Sequence, residues 1–207
     1  MKYDVKEIYE KELLGKEVIV EGWVRNHRKQ KEFGFIDFSD GTCFNHLQVV
    51  YDDKLDSFDE ITKIKNGSAI EVTGTIIKSE GKGQNIDLKV KSIKLLGDCP
   101  EDYPMQPKPH TREFLREQAY LRPRTNLFQA VFRIRSVAAH AIHTYFQERG
   151  YVYVHTPILT ANDGEGAGQM FQVTTLDLDR IATSGKVEYD ADFFGKKVGL
   201  AVTGQLE

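Results

Sequence analysis

Residues 17–51 read EVIVEGWVRNHRKQKEFGFIDFSDGTCFNHLQVVY. Over 17–28 apolar and polar residues alternate, which is the pattern of a half-buried strand. FGFIDFS, 33–39, is a second such run, and Asp40-Gly41 after it is a hairpin signal. CFNHLQVVY, 43–51, makes a third. Downstream, Leu55, Phe58, Ile61 and Ile64 recur at helical spacing, with Gly67 at the exit. SAIEVTGTIIKS (68–79) and QNIDLKVKSIKLLG (84–97) then read as two more strands, joined through Glu80-Gly81-Lys82-Gly83. Three strands, a helix and two strands in about 100 residues is the element order of an OB-fold barrel.

In that architecture strands two and three, with the loops joining strands 1–2 and 4–5, form the nucleic-acid face. Here those loops are Arg28–Glu32 and Ser79–Gly83, and both contain lysine. Phe33 and Phe35 share one side of strand two, opposite Ile36 and Phe38. One side must pack the core. The other then exposes an aromatic beside a basic loop, a stacking platform for single-stranded bases, unless the N-terminal helix covers both sides.

GDCPEDYPMQPKP, 97–109, holds four of the six prolines and marks a stiff linker. The expected division is 1–100 as an OB domain, 101–125 as a hinge with a linker helix, and 126–207 as the start of a second, α+β domain. In HTREFLREQAYLRPRTN, 110–126, Thr111 caps a short helix that Arg122-Pro123 ends. Asn126 caps the next, running to Arg149, with Phe128, Val131, Phe132, Ile134, Ala138, Ala141, Ile142, Tyr145 and Phe146 as an apolar stripe and Gly150 at its exit. Tyr151–His155, Phe171–Leu176 and Val198–Thr203 read as strands. Asp177–Lys197 is polar and irregular and reads as an ordered insertion or a mobile loop.

A net charge of −3 argues against a generally basic nucleic-acid binder. Two basic clusters remain, Arg25, Arg28, Lys29 and Lys31, and Lys108, Arg112, Arg116, Arg122, Arg124, Arg133 and Arg135. Either can hold a polyanion, because phosphate attraction is local at physiological screening. No apolar run approaches the roughly 18 residues of a membrane span, and the charged start lacks the apolar core of a secretory signal. Cys43 and Cys99 fit neither a zinc site nor a disulfide framework, so reduced thiols in a cytoplasmic protein are expected. His140 and His143, at i and i+3, lack a third ligand, so no metal site is expected.

Taken together, these motifs resemble the N-terminal part of bacterial asparaginyl-tRNA synthetases, in the aspartate-like subgroup of class II aminoacyl-tRNA synthetases. GWVRNHRKQKEFGFIDFSDGT resembles the opening of that subgroup's anticodon-binding OB domain, and HTREFLREQAYLRPRTN the approach to its catalytic domain, which is built on an antiparallel sheet. The long helix, RGYVYVHTP and Pro157 resemble motif 1, the dimerisation motif. EGAGQMFQVTTLD, DFFGKK and TGQLE resemble the asparagine branch more than the aspartate branch, with Thr203 where serine is more usual.

The resemblance implies roles. Phe35 and Gln48 fall where anticodon readers fall, with Arg28 at a nearby basic position and the middle, uridine base as target. The chemistry agrees: a phenyl face for a splayed base, an amide with donor and acceptor for its Watson–Crick edge, a guanidinium for phosphate or base. Asp87 is carried over to the first anticodon base, with a solvated strand carboxylate as the alternative. His27 and His46 face either RNA or solvent. Glu165, between Gly164 and Gly166, matches a loop carboxylate that pairs with the substrate ammonium; such a contact is worth about 1.5–3 kcal/mol. Its glycine spacing is not that of a dinucleotide site. Gln205 and Glu207 match a second amino-acid contact and a pocket wall.

The implied function is ATP-dependent ligation of asparagine to its tRNA through an asparaginyl-adenylate, by a homodimer using Mg2+. Motifs 2 and 3, with the ATP-binding arginines, are not found before Glu207. No catalytic residue is therefore expected within the 207, and neither activity nor bound ATP or Mg2+ from the chain alone. The rival expectations are a free-standing RNA-binding or regulatory protein built from a synthetase N-terminus, and an aspartyl-tRNA synthetase.

Overall fold

The computed structural model describes residues 1–81, 83–162, 164, 166 and 170–206. The order is α1 (Val5–Glu10), β1 (Glu17–Lys29), β2 (Phe33–Ser39), β3 (Leu47–Asp52), α2 (Phe58–Ile61), β4 (Ala69–Lys78), β5 (Ile86–Gly97), α3 (Arg112–Glu117), α4 (Asn126–Gln147), β6 (Leu159–Thr160), β7 (Gln172–Val173), α5 (Leu178–Ser184) and β8 (Val198–Leu200). Two compact units form, Met1–Ala138 and Ala139–Glu207, with their boundary inside α4.

In the first unit five strands close into a barrel in the order β1-β2-β3-β5-β4, with β4 returning to β1. The expected OB order is therefore present. Its interior is the inward half of each alternating strand: Val18, Val20 and Val24; Ile36 and Phe38; Leu47, Val49 and Tyr51; Ile70, Val72 and Ile76; Leu88 and Val90. Each such aliphatic or aromatic side chain removed from water contributes about 1.5–3 kcal/mol. Val5 and Ile8 of α1, and Ile61 and Ile64 in and after α2, join the same core. The Asp40 carboxylate fastens α1 to the β2–β3 turn, accepting from the Val5 amide at 2.7 Å and from the Thr42 amide and hydroxyl. α2 is shorter than its Leu55–Ile64 spacing suggests, and β3 begins at Leu47 rather than Cys43.

Residues 98–125 pack within this unit instead of hanging free. Cys99 and Leu115 are buried, and the Tyr103 ring lies against Gly67. Thr111 caps α3 by accepting from the Phe114 amide at 3.2 Å. Arg133 on α4 donates to the Gly41 carbonyl at 2.7 Å.

The second unit holds a small antiparallel sheet ordered β6-β8-β7. The strand expected at Tyr151–His155 is absent. This run makes no ladder among the described residues, and Tyr151–Val154 are exposed. Strand propensity reports a residue's fit to a pleated, half-buried surface, and no neighbouring strand supplies one here. Tyr151 instead packs edge-on against Phe146, and Tyr153 against His143. The strands expected at Phe171–Leu176 and Val198–Thr203 shorten to β7 and β8. The stretch expected to be irregular contains α5, capped by Asp177, which accepts from the Asp179 and Arg180 amides, and ended by Gly185 at φ +66°. Asp192 is buried; its carboxylate accepts from both Thr174 and Thr175 hydroxyls and from the Thr175 and Phe193 amides.

Candidate nucleic-acid interface

A β-bulge decides what β1 offers to solvent. Straight alternation from Val18, Val20 and Val24 would send Asn26 and Arg28 into the barrel. The ladder with β2 instead pairs Val24 with Phe38 and Asn26 with Asp37, leaving Arg25 as an extra residue. One inserted residue reverses the facing of everything beyond it. Asn26 and Arg28 therefore turn outward, and His27 turns inward. His27 Nδ1 donates to the Ile64 carbonyl at 2.9 Å, and its Nε2 accepts from the Tyr51 hydroxyl at 2.7 Å. Burial pushes the imidazole pKa down, so the ring is a neutral bridge in the wall and faces neither RNA nor solvent.

Strand pairing then lines up the outward residues in rungs. Arg28 lies opposite Phe35, Asn26 opposite Asp37, Asp37 opposite Gln48, and Gln48 opposite Asp87. The four barrel residues singled out in the sequence thus meet on one face. The Arg28 guanidinium carbon is 5.3 Å from the Phe35 ring centroid, and Arg28 donates to Gln48 Oε1 at 3.0 Å. Gln48 Nε2 donates to Asp87 Oδ1 at 3.4 Å, and the Gln84 amide donates to the same oxygen. Phe35 is half-buried and braced edge-on by Phe33, their centroids 5.4 Å apart.

Asp87 differs from the others. It is only 6% exposed, and it reaches the face through the two amides it anchors, not as a solvated carboxylate. Arg28, Gln48, Asn26, Asp37, His46 and Gln84 line a cavity of about 280 Å3. His46 Nδ1 sits 2.9 and 3.1 Å from the two Asp37 oxygens. Asn26, Asp37 and Gln84 carry no role in the sequence reading, whereas His46, left there between RNA and solvent, lines this cavity. Asp37 was legible, since it shares the parity of Phe35 on β2. Asn26 was hidden by the bulge, and Gln84 precedes β5. Chemically, the face offers an aromatic ring for stacking, an oriented amide and a cation. That is the combination that reads a splayed base.

In the second unit, Gln205 is exposed, and its backbone N–H donates to Thr203 Oγ1 at 3.3 Å. Gly204 lies against Thr156, and Gly164 against Thr203, each without room for a Cβ. Pro157 ends the run after α4 that carries no assigned secondary structure. Glu165 and Glu207 lie outside the described residues. Among the described residues no three His, Cys, Asp or Glu side chains gather as a metal-binding group, and no helix is long and apolar enough to cross a membrane.

Two family profiles match the chain: residues 18–96 match an OB-fold nucleic acid binding domain, and 111–183 match tRNA synthetases class II (D, K and N). The asparagine–tRNA ligase of Acholeplasma laidlawii is 57% identical over 196 residues, covering 93% of this chain and 42% of its own length. That of Acetivibrio thermocellus is 50% identical over 208 residues, covering 98% and 45%. The chain thus spans less than half the length of the curated relatives it matches. In fold it resembles the asparaginyl-tRNA synthetase of Pyrococcus horikoshii complexed with asparaginyl-adenylate. That match has a TM-score of 0.77 at 21% identity, over 99% of this chain and 43% of the other.

Proposed function

The chain belongs to the asparaginyl-tRNA synthetases of class II, and from that premise we propose that its barrel reads the anticodon of an asparagine-accepting tRNA. The protein to which it contributes ligates asparagine to that tRNA. The asparagine carboxylate attacks the α-phosphate of ATP, releasing pyrophosphate and leaving an asparaginyl-adenylate, and a ribose hydroxyl at the tRNA 3′ end then takes the asparaginyl group as the acyl–phosphate bond breaks and AMP leaves. ATP and Mg2+ enter the proposal as the family's co-substrate and metal, and no step is assigned to described residues through either. Gln205, with Glu165 and Glu207, belongs in this proposal to the asparagine pocket.

The observation that supports the reading is the convergence of Arg28, Phe35 and Gln48 on one barrel face. Phe35 presents its ring to the base. Gln48, its amide turned by Arg28 on one side and Asp87 on the other, meets the base edge. The exposed Lys29 and Lys31 lie beside it for phosphate. The test is binding of the asparagine anticodon stem-loop. Stacking on an aromatic is worth about 1–3 kcal/mol per base, so Phe35→Ala should weaken binding roughly 5- to 150-fold. Phe35→Leu should recover little of it, since volume without a π face does not stack. Equal binding by wild type and a folded Phe35→Ala would sink the reading.

A homodimer is part of the proposal. Ile134, Val137 and Ile142 on α4 are 60–69% exposed, and the run ending at Pro157 follows that helix. A monomer by sedimentation at micromolar concentration would remove this part.

A further inference from the structure

We propose that a second nucleotide-binding site lies in the first unit, in a cleft where residues 103–129 pack beside β1. The cleft encloses about 600 Å3, inside the range of about 300–1,000 Å3 usual for small-molecule sites. It shares no residue with the cavity around Arg28 and Gln48, so it stands apart from the anticodon reading.

Its composition points to the ligand. The chain carries 31 acidic against 28 basic residues, yet among the described residues no Asp or Glu lines this cleft, while Arg25, Lys108 and Arg124 do. Trp23, Tyr103 and Tyr120 supply its aromatic surface. The Arg124 guanidinium lies 5.5 Å from the Trp23 ring centroid and 5.9 Å from that of Tyr103. It is held there by donating to the Tyr103 hydroxyl at 3.1 Å. Two rings and a guanidinium therefore gather on one side of the cleft, and aromatic faces and arginine are the groups on which a planar base stacks. Tyr120, 78% exposed, stands free at the margin. Gln129 also lines the cleft. Lys108, exposed, and Arg25, half-buried, carry the positive charge that a phosphate seeks. Burial holds the Arg25 pKa below its ordinary value, and a bound phosphate would offset that desolvation. The ligand class is a base joined to a phosphate, either a free nucleoside monophosphate or one nucleotide of a single-stranded RNA.

Trp23 is the sole tryptophan, so indole fluorescence reports on this cleft directly. The purified chain is titrated with AMP, GMP, CMP and UMP, with adenosine, and with a short single-stranded RNA, excited at the red edge of the indole band. Saturable quenching by a monophosphate, weaker with adenosine, identifies a free nucleotide. Saturable quenching by the RNA alone identifies a nucleotide within a strand. Removing one charge-assisted contact should weaken binding about tenfold or more in Lys108→Ala. Tyr120→Ala should weaken it as well; both side chains are exposed, and neither variant threatens the fold. Phe35→Ala loses the stem-loop but keeps the quench, so failure of the anticodon reading and failure of this one register separately. The proposal is overturned if no probe quenches saturably, or if the quench survives unchanged in both cleft variants.

Discussion

Replacing Gly34 by alanine should strike the barrel at its tightest point. Gly34 faces Tyr51 across the β2–β3 ladder. A Cβ there would fall 2.6 Å from Tyr51 Cε1, and nearer still to Cζ and the hydroxyl oxygen. The ring cannot step aside: Tyr51 is 2% exposed, and its hydroxyl is tied to His27. In an open extended strand Gly→Ala would stabilise by about 0.4–1 kcal/mol through the unfolded chain, so the sign of the effect is diagnostic. Overpacking costs about 1–3 kcal/mol, and moving the hydroxyl off His27 adds about 1–3 kcal/mol for a buried acceptor left unmatched. The expected loss is roughly 1–5.5 kcal/mol after the backbone gain is subtracted, a sizeable share of the roughly 5–15 kcal/mol of a typical domain. Urea unfolding followed by Trp23 emission measures it, with an unchanged slope as the check on two-state behaviour. Adding Tyr51→Leu clears the space, so the double variant should lose less than the sum of the singles. An unchanged or raised midpoint for Gly34→Ala alone would refute the packing described for this wall.

Other outcomes follow from the same contacts. Burial lowers the His27 pKa below its unfolded value near 6.5. The unfolded chain therefore takes up the proton first, and barrel stability should be full above about pH 6.5 and fall below it. Urea midpoints across that range should lose this slope in His27→Gln. Hydrogen bonds from Thr174, then from Thr175 and Phe193, hold the Asp192 carboxyl at about 2. Its contribution to the second unit is present above the unfolded value near 3.9 and lost as pH falls through about 2; hydrogen exchange at the Thr175 and Phe193 amides should speed up over that window, and at neutral pH in Asp192→Asn. Asp87→Ala should weaken stem-loop binding although Asp87 is buried, because Gln48 loses one of the two groups that turn its amide. Adding Gln48→Ala to it should cost little more, and full additivity would show that Asp87 acts independently.

The barrel was legible because its strands alternate cleanly and its turn signals fall between them. Phe35 and Gln48 could be placed on one face by parity alone. Arg28 could not, since parity puts it inside and only the bulge at Arg25 brings it out. The anchoring role of Asp87 was also invisible, because it depends on pairing between β3 and β5 across some 40 residues of chain. Tyr151–His155 misled for a related reason: its residues suit a sheet, but a strand is a relation between two segments. Conversely, α5 was overlooked despite an Asp177 cap and a Gly185 exit, since its polar composition drew attention away from its end signals.

The barrel closes through one short parallel contact, Gln48–Val50 against Asp87–Lys89, whereas β4 and β5 zip together along their whole length. That contact is the clasp of the bracelet, and fraying there sacrifices the fewest ladder bonds. Gln48 and Asp87 form its first link. Whatever seats on Gln48 therefore also grips the fastening, and by reciprocity a fastened barrel grips its guest more firmly. Reading and closing are one act at this link, and a change made to alter what is read will also loosen or tighten what holds the ring shut.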